Sequence, residues 1–271
     1  MKKTSTTAPR VSVLMGVYNC ANTLEAAIKS ILEQSFDDFE LIACDDGSSD
    51  ESLSILKKMA KADSRLRILE NDVNCGLAPT LNRCAAVARG SYLARMDGDD
   101  ESLPTRFAEE VAFLDTHPDI ALVGSAIEFF DDNGCWGRLE HPGSPTIRDF
   151  LLRSPFAHPT IMLRASVLEA LGGYSVEKRT GRSEDYELFM RLYAAGYRGA
   201  NLQTVQLRYR EERASFAKRK FRWALVEAGV RVRGYRKLGL LPGGLIWALK
   251  PILVALVPAR LWRALRRRRF K

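Results

Sequence analysis

At 271 residues, 46% hydrophobic and 27% charged, the chain has material for one large α/β domain, or for a domain with an appendage. Its +8 charge is unevenly placed: 19 of the 41 Lys and Arg but only 3 of the 33 Asp and Glu lie from Arg208 onward, so that segment carries +16 and the residues before it −8. The five cysteines show no CxxC or Cys/His spacing, which excludes a thiolate metal site and a disulfide framework and fits a reducing, cytosolic setting.

Met1 to Arg10 is polar and Thr-rich, without the apolar core of a signal peptide, and reads as a flexible terminus. Val11 to Val17 is nearly all apolar, as a buried parallel strand must be. Asn22 or Thr23 can cap the next helix, whose Leu24, Ile28, Ile31 and Leu32 share a face. Phe39 to Cys44 reads as a second strand ending in Asp45-Asp46-Gly47-Ser48, and Ser48 with Glu51 forms a capping box for a helix bearing Leu53, Leu56 and Met59. Leu66 to Leu69 is a third strand, Gly76 to Ala88 a helix, and Tyr92 to Met96 a fourth strand. This alternation predicts a doubly wound parallel sheet, with ligands outside the carboxyl ends of the strands. Tyr18-Asn19, Asp45-Asp46 and Asp97-Gly98-Asp99-Asp100 all fall at those ends.

The second half is less regular. Arg106 to Thr116 predicts a helix, Ile120 to Phe130 a strand, Asp132-Asn133-Gly134 a turn, Thr160 to Leu163 another strand, and Ser183 to Ala195 a helix with Tyr186, Phe189, Met190 and Tyr193 inward. Phe216 to Lys237 alternates basic and apolar residues and predicts an amphipathic helix. The apolar run from Leu238 to Pro258 is interrupted by Pro242-Gly243-Gly244 and Lys250-Pro251, which leaves it too short and broken to span a membrane. It suits a helix in the membrane interface, with Trp247 and Trp262 at headgroup depth and Arg266 to Arg269 on anionic lipid. A hairpin packed on the body is the alternative. A nucleic-acid arm needs no such apolar run, and no nucleic-acid partner is expected.

Three aspartates in Met96-Asp97-Gly98-Asp99-Asp100 repel one another at the end of a buried strand, and a hard divalent cation, Mn²⁺ or Mg²⁺, is the natural remedy. An acidic turn with Asp100 capping a helix is the plainer reading. Taken with Val13 to Asn19, Asp45-Asp46-Gly47-Ser48, Ala94 to Asp100 and Ser183-Glu184-Asp185-Tyr186-Glu187-Leu188, the chain resembles a family 2 glycosyltransferase of the GT-A fold over about Val11 to Arg210. The fold implied is a Rossmann-like, mostly parallel α/β sheet flanked by helices.

The resemblance implies transfer of a sugar from a nucleotide donor, with inversion at the anomeric carbon, to an acceptor hydroxyl. Val17, Tyr18, Asp45, Asp46, Arg83 and Asp97 fall on the donor side, Tyr18 edging the nucleoside, Asp46 accepting from the base and Arg83 reaching the base or a phosphate. A carboxylate that accepts from a ring N–H favours uracil, hence a UDP-sugar. Asp99 with Asp97 would hold the metal that neutralises the departing diphosphate, and Asp100 would either ligate it too or cap a helix. Asp185 is the expected base, with Glu184 and His158 towards the acceptor. Each has a plainer reading: Tyr18 a core aromatic, Asp45 a turn residue, His158 a hydrogen-bonded core residue, Asp185 a carboxylate serving only its helix dipole. Gly172-Gly173-Tyr174 matches the family's glycine turn. Glu212 stands where relatives carry His.

The expected division is residues 1–10, a flexible terminus; 11–212, the transferase domain, with 11–100 binding the nucleotide sugar and 101–212 the acceptor; and 213–271, a basic membrane-associating tail. Specificity would lie in the loops from Ser125 to Ser154 and from Tyr174 to Arg182. The expected acceptor is a saccharide or lipid-linked saccharide of polysaccharide or glycan assembly, met at the cytoplasmic face of a membrane. Two alternatives stand: a nucleotide-sugar-binding membrane protein impaired in turnover, and a sugar nucleotidyltransferase. The latter needs a Gly-rich loop where Tyr18 to Thr23 has no glycine.

Overall fold

A computed structural model describes residues 8–211 and 221–257. In chain order the elements are β1 (Val11–Val17), α1 (Ala21–Leu32), β2 (Phe39–Asp45), α2 (Ser52–Ala62), β3 (Leu66–Glu70), α3 (Leu77–Ala86), β4 (Tyr92–Asp97), β5 (Glu101–Ser102), α4 (Arg106–Thr116), β6 (Ile120–Asp131), β7 (Gly134–Leu139), β8 (Met162–Arg164), α5 (Ala165–Ala170), α6 (Glu184–Ala194), β9 (Arg198–Arg210), α7 (Phe221–Lys237), α8 (Leu245–Ala248) and α9 (Lys250–Leu256). All the strands join one sheet, in the order β3-β2-β1-β4-β8-β6-β9-β5, with β7 as a hairpin on β6.

The β3-β2-β1-β4 half is parallel throughout, as the strand–helix alternation predicts. Register sets Val17 beside Asp45 and Gly16 beside Asp97, so three strands finish on one edge. Alternation along the strands feeds two cores. Leu14 and Ile42 face α3, α5, α6 and α7, whereas Val13, Met15 and Leu41 face α1, α2 and α4. Beyond β4 the sheet is mixed: β8 runs antiparallel to β4 and β6, β9 parallel to β6, and β5 antiparallel to β9.

Several local expectations change. α1 starts at Ala21 without a side-chain cap, and Thr23 Oγ1 donates instead to the Gly98 carbonyl at 2.9 Å, tying this helix to the acidic turn. No Ser48–Glu51 box forms. Asp50 accepts from the Ser52 amide at the start of α2 and from the Ala21 amide at the start of α1, both at 3.0 Å, so one carboxylate serves two helix N-termini. A strand, β5, follows Asp100 rather than a helix, which removes the capping role. The strand expected over 160–163 is β8, displaced by a 3₁₀ turn at His158–Thr160. The turn at 132–134 closes the β6–β7 hairpin, with Gly134 at φ 102° where an L side chain is strained.

The helix predicted from Phe216 is seen from Phe221, and it lies on the body. Tyr235 is fully buried and donates to the Phe150 carbonyl at 2.9 Å, while Gly234 has no room for a Cβ against Met190 of α6. α9 packs along α7. No residue of α9 is buried. Among the described residues, no helix is long and apolar enough to cross a membrane. Glu212, Trp262 and Arg266 to Arg269 lie outside the described residues.

Candidate active site

The first wall of the site is made where β1 and β2 end. Asn19, at φ 51°, turns the chain: its amide donates to Ser48 Oγ at 3.1 Å and its Oδ1 accepts from the Ser49 amide at 2.8 Å. This lacing leaves Tyr18 half exposed over a cavity of about 710 Å³, bordered also by Gly16, Val17, Asp46 and Gly76. Asp46 is buried, accepting from Asn71 Nδ2 at 2.6 Å and from the Cys75 and Gly76 amides at 2.9 and 2.8 Å. It thus shapes the 74–76 wall. Asp45 accepts from the Ser48 amide at 3.0 Å and keeps its other oxygen buried without a partner.

One strand over lies the acidic turn. Asp97, Asp99 and Asp100 each bring a carboxylate oxygen within 4.8 Å of the others. Burial first, then the Asp97 charge, raises the Asp99 carboxyl above its usual range, and the same causes raise Asp100 further. One Asp100 oxygen accepts from the Arg210 amide at 2.9 Å, and the other is buried with no partner. The buried cation there is Arg95, 3% exposed and paired with Asp97, and the Arg210 charge is also felt at Asp99. Three carboxylates gathered there, all oxygen donors with one orphaned, fit a hard divalent ion. Asp97, Asp99 and Asp100 would hold it, and the role left open for Asp100 becomes that of a third candidate ligand.

The opposite wall comes from residues 172–185. Gly172 and Gly173, at φ 73° and 76°, turn the chain out of α5, and a Cβ at Gly173 would strike Asn82 Oδ1 at 2.7 Å. Asn82 then clamps Tyr174 through both backbone groups, at 2.8 and 2.9 Å. Glu184 and Asp185 open α6, and Glu184 borders the cavity. Burial, followed by the neighbouring Asp185 charge, pushes the Glu184 carboxyl up to about 7. The buried Tyr174 hydroxyl senses Arg95, Asp185, Glu184 and Asp97 together, which places the acidic turn and the α6 N-terminus in one electrostatic neighbourhood.

Comparison with known proteins decides the family. Residues 12–174 match the model for Glycosyl transferase family 2. The chain belongs to glycosyl transferase family 2. EpsE of Bacillus subtilis (strain 168), itself assigned as a glycosyltransferase, is 41% identical over 252 residues, covering 93% of this chain and 91% of its own. WfaP of Escherichia coli, a UDP-Glc:α-D-GlcNAc-diphosphoundecaprenol β-1,3-glucosyltransferase, is 26% identical over 81% of this chain and 84% of its own. The crystal structure of S. aureus TarS 1–349 with UDP-GlcNAc superimposes with a TM-score of 0.69 at 19% identity, over 89% of this chain and 73% of that one. The mannosyltransferase PcManGT of Pyrobaculum calidifontis, in complex with GDP-Man and Mn²⁺, gives 0.64 at 22%, over 93% and 75%. At these identities the structures establish the fold, which is GT-A.

The transferase brings some of its sequence candidates together and moves others away. Val17, Tyr18, Asp46 and Glu184 border the cavity, and Asp97 sits beside Gly16 across the β1–β4 register. Arg83 borders no part of it. Its guanidinium donates to the Glu70 carbonyl at 3.0 Å and to Asn71, so it steadies the partner of Asp46. His158 is buried: Nε2 meets the Tyr174 hydroxyl at 2.9 Å, the ring lies near Phe189, and burial then Arg95 drive its pKa well below the ordinary value. It supports Tyr174 from behind. Arg95, Tyr174, Lys178, Arg182 and Trp223 gain places at or near the site that sequence reasoning did not assign. Arg95 had a signal, a cation inside the apolar run Tyr92 to Met96; Trp223 had none, since α7 reaches the cavity only through packing.

Proposed function

We propose that this transferase inverts the anomeric centre of a UDP-sugar as it passes the sugar to a saccharide linked to a lipid diphosphate, working at the cytoplasmic face of a membrane. The observation that carries the reading is convergence. Tyr18, Asp46 and Glu184 border one cavity, Asp97 ends the neighbouring strand beside Gly16, which also borders it, and Asp185 follows Glu184 in the first turn of α6, so groups from distant parts of the chain gather at one strand edge. A bound Mn²⁺ or Mg²⁺ would supply charge neutralisation for the departing diphosphate.

The chain's own groups supply the rest. Tyr18 and the 74–76 wall hold the nucleoside, with Asp46 bracing that wall through the Cys75 and Gly76 amides. Asp185 stands in the first turn of α6, where the helix dipole favours its anion. There it takes the proton from the acceptor hydroxyl as that oxygen bonds to the anomeric carbon, while the bond from carbon to diphosphate oxygen breaks on the opposite face. Glu184 next door, its pKa raised to about 7, carries only part of its charge near neutrality, which limits repulsion.

The UDP preference draws on WfaP and on TarS bound to UDP-GlcNAc, with PcManGT as the counter-example that makes a donor panel necessary. The membrane reading draws on α8 and α9, where Ile246, Leu253 and Leu256 are 68%, 58% and 65% exposed, in a segment with a large positive surplus. The test is transfer measured with UDP-, GDP-, CMP- and dTDP-sugars. Asp185→Asn should lower kcat by about 10²–10⁴-fold while UDP binding is kept. Undiminished transfer in that variant would remove Asp185 from its role, and turnover with no nucleotide sugar would remove the reading itself.

A further inference from the structure

A second recess, of about 280 Å³, lies on the other side of the 175–182 loop from the donor cavity, and Ser175 and Glu177 border both. It is walled by that loop, α6 and α7. The close packing of Gly234 on Met190 brings α7 near enough to form it. Five cations line it, Arg179, Arg191, Arg233, Arg236 and Lys237, against two carboxylates, Glu177 and Glu187.

Those carboxylates are already committed. Glu187 pairs with Arg191 at 2.9 Å, and Glu177 pairs with Arg179. Arg233 donates to the Arg179 carbonyl at 2.7 Å, and among the described residues no carboxylate pairs with Arg233, Arg236 or Lys237. The Glu177 carboxyl is held low chiefly by Arg179, with Arg233 and Lys237 adding to the effect, so the unpaired cations are close enough to be felt. Ser175 and Thr180, whose hydroxyls meet at 3.0 Å, add neutral donors. Placing Arg236 and Lys237 in the last turn of α7 suits its dipole, yet dipole complementarity needs no recess and no convergence from three elements.

We infer that this recess binds the diphosphate group of the acceptor, one loop's thickness from the donor. Planar guanidiniums and hydroxyls match phosphate oxygens, and three cations without ion-pair partners among the described residues match the charge. α9 packs along α7, the helix that also walls the recess, and carries the exposed apolar Leu253 and Leu256, towards which the lipid of a prenyl diphosphate would leave. The same chemistry would accept a free diphosphate, and the two sources differ in the tail alone. The inference rests on the lipid-linked acceptor proposed above.

The test is calorimetric titration of the full chain, at saturating UDP and Mg²⁺ to close the donor cavity, with farnesyl diphosphate and with inorganic diphosphate. The expected result is binding that weakens at least about tenfold in Arg236→Gln/Lys237→Gln, with UDP affinity changed less than about twofold. Both side chains are exposed, so the fold should survive, and the melting temperature checks that. Farnesyl diphosphate binding more tightly than inorganic diphosphate supports the lipid source. Equal affinities would keep a basic site and overturn the lipid source. No binding, or equal binding by the variant, overturns the inference. Failure of UDP to bind would count against the transferase reading instead, and titration without UDP would still judge the recess.

Discussion

Two buried charge clusters lie close together, one on α4 and the other after β4, and they are resolved in opposite ways. On α4, Arg106 and Glu110 are both fully buried and paired at 3.1 Å, and Arg106 also donates to the Arg95 carbonyl at 3.0 Å. Each charge there faces a partner within the protein, although burial outweighs Arg106 and pushes the Glu110 carboxyl up to about 7. The acidic turn sets three carboxylates against Arg95 and leaves an Asp100 oxygen without a partner. The first arrangement is closed by its own partners, whereas the second leaves an acceptor open. Burial alone does not mark a functional group; burial with incomplete compensation does.

That contrast can be broken by substitution. Glu110→Gln strands the Arg106 guanidinium in the core and should cost about 3–5 kcal/mol, read as a fall in the denaturation midpoint. A change below about 1 kcal/mol would mean that the pair is not what balances the core. Mn²⁺ should do the reverse at the acidic turn, adding about 2.7 kcal/mol of stability at one hundred times its dissociation constant. Since Asp99 and Asp100 hold protons more tightly than ordinary carboxylates, protons compete with Mn²⁺, and its affinity should rise with pH. Titration in buffers of different ionisation enthalpy would show the released proton.

Glu184 sharpens the comparison with a pH slope. The folded chain keeps its proton up to about 7 while the unfolded chain releases it near the ordinary 4.5, so the folded state binds more protons in between. Stability from this group is greatest below about 4.5 and falls as pH rises to about 7. After allowance for solvent screening, Glu184→Gln should recover about 1–2 kcal/mol at pH 7.5 and flatten that part of the profile. The smallest effect belongs to Asp99→Asn, which removes one repelling charge. Without metal it should be neutral or stabilising by about 1 kcal/mol, and it should abolish the Mn²⁺ shift.

The first hundred residues were legible because their physics is local. Each strand is an apolar run, each helix an amphipathic stripe, and right-handed parallel crossovers leave few ways to assemble them. Tyr18, Asp46 and Asp97 could be put on one edge by counting strand ends. Side-chain bonds were less legible. Asp50 took the capping assigned to Ser48 because it also reaches the α1 N-terminus, a contact made only once β1 and β2 are side by side. Arg83 and His158 had suitable chemistry, and their direction was decided by neighbours distant in sequence, Asn71 for one and Tyr174 for the other.

By itself, then, the sequence determined the parallel half-sheet, the ends where polar residues gather, and the clash of aspartates at 97–100, since periodicity and like-charge repulsion act between near neighbours. Only the tertiary structure decided that β6 and β9 pair in parallel, that Arg95 turns to Asp97, that Trp223 of α7 walls the cavity, and that α7 rests on α6. Those are long-range contacts, and each depends on a shape, such as the absence of a Cβ at Gly234 opposite Met190, that no window of neighbouring residues contains.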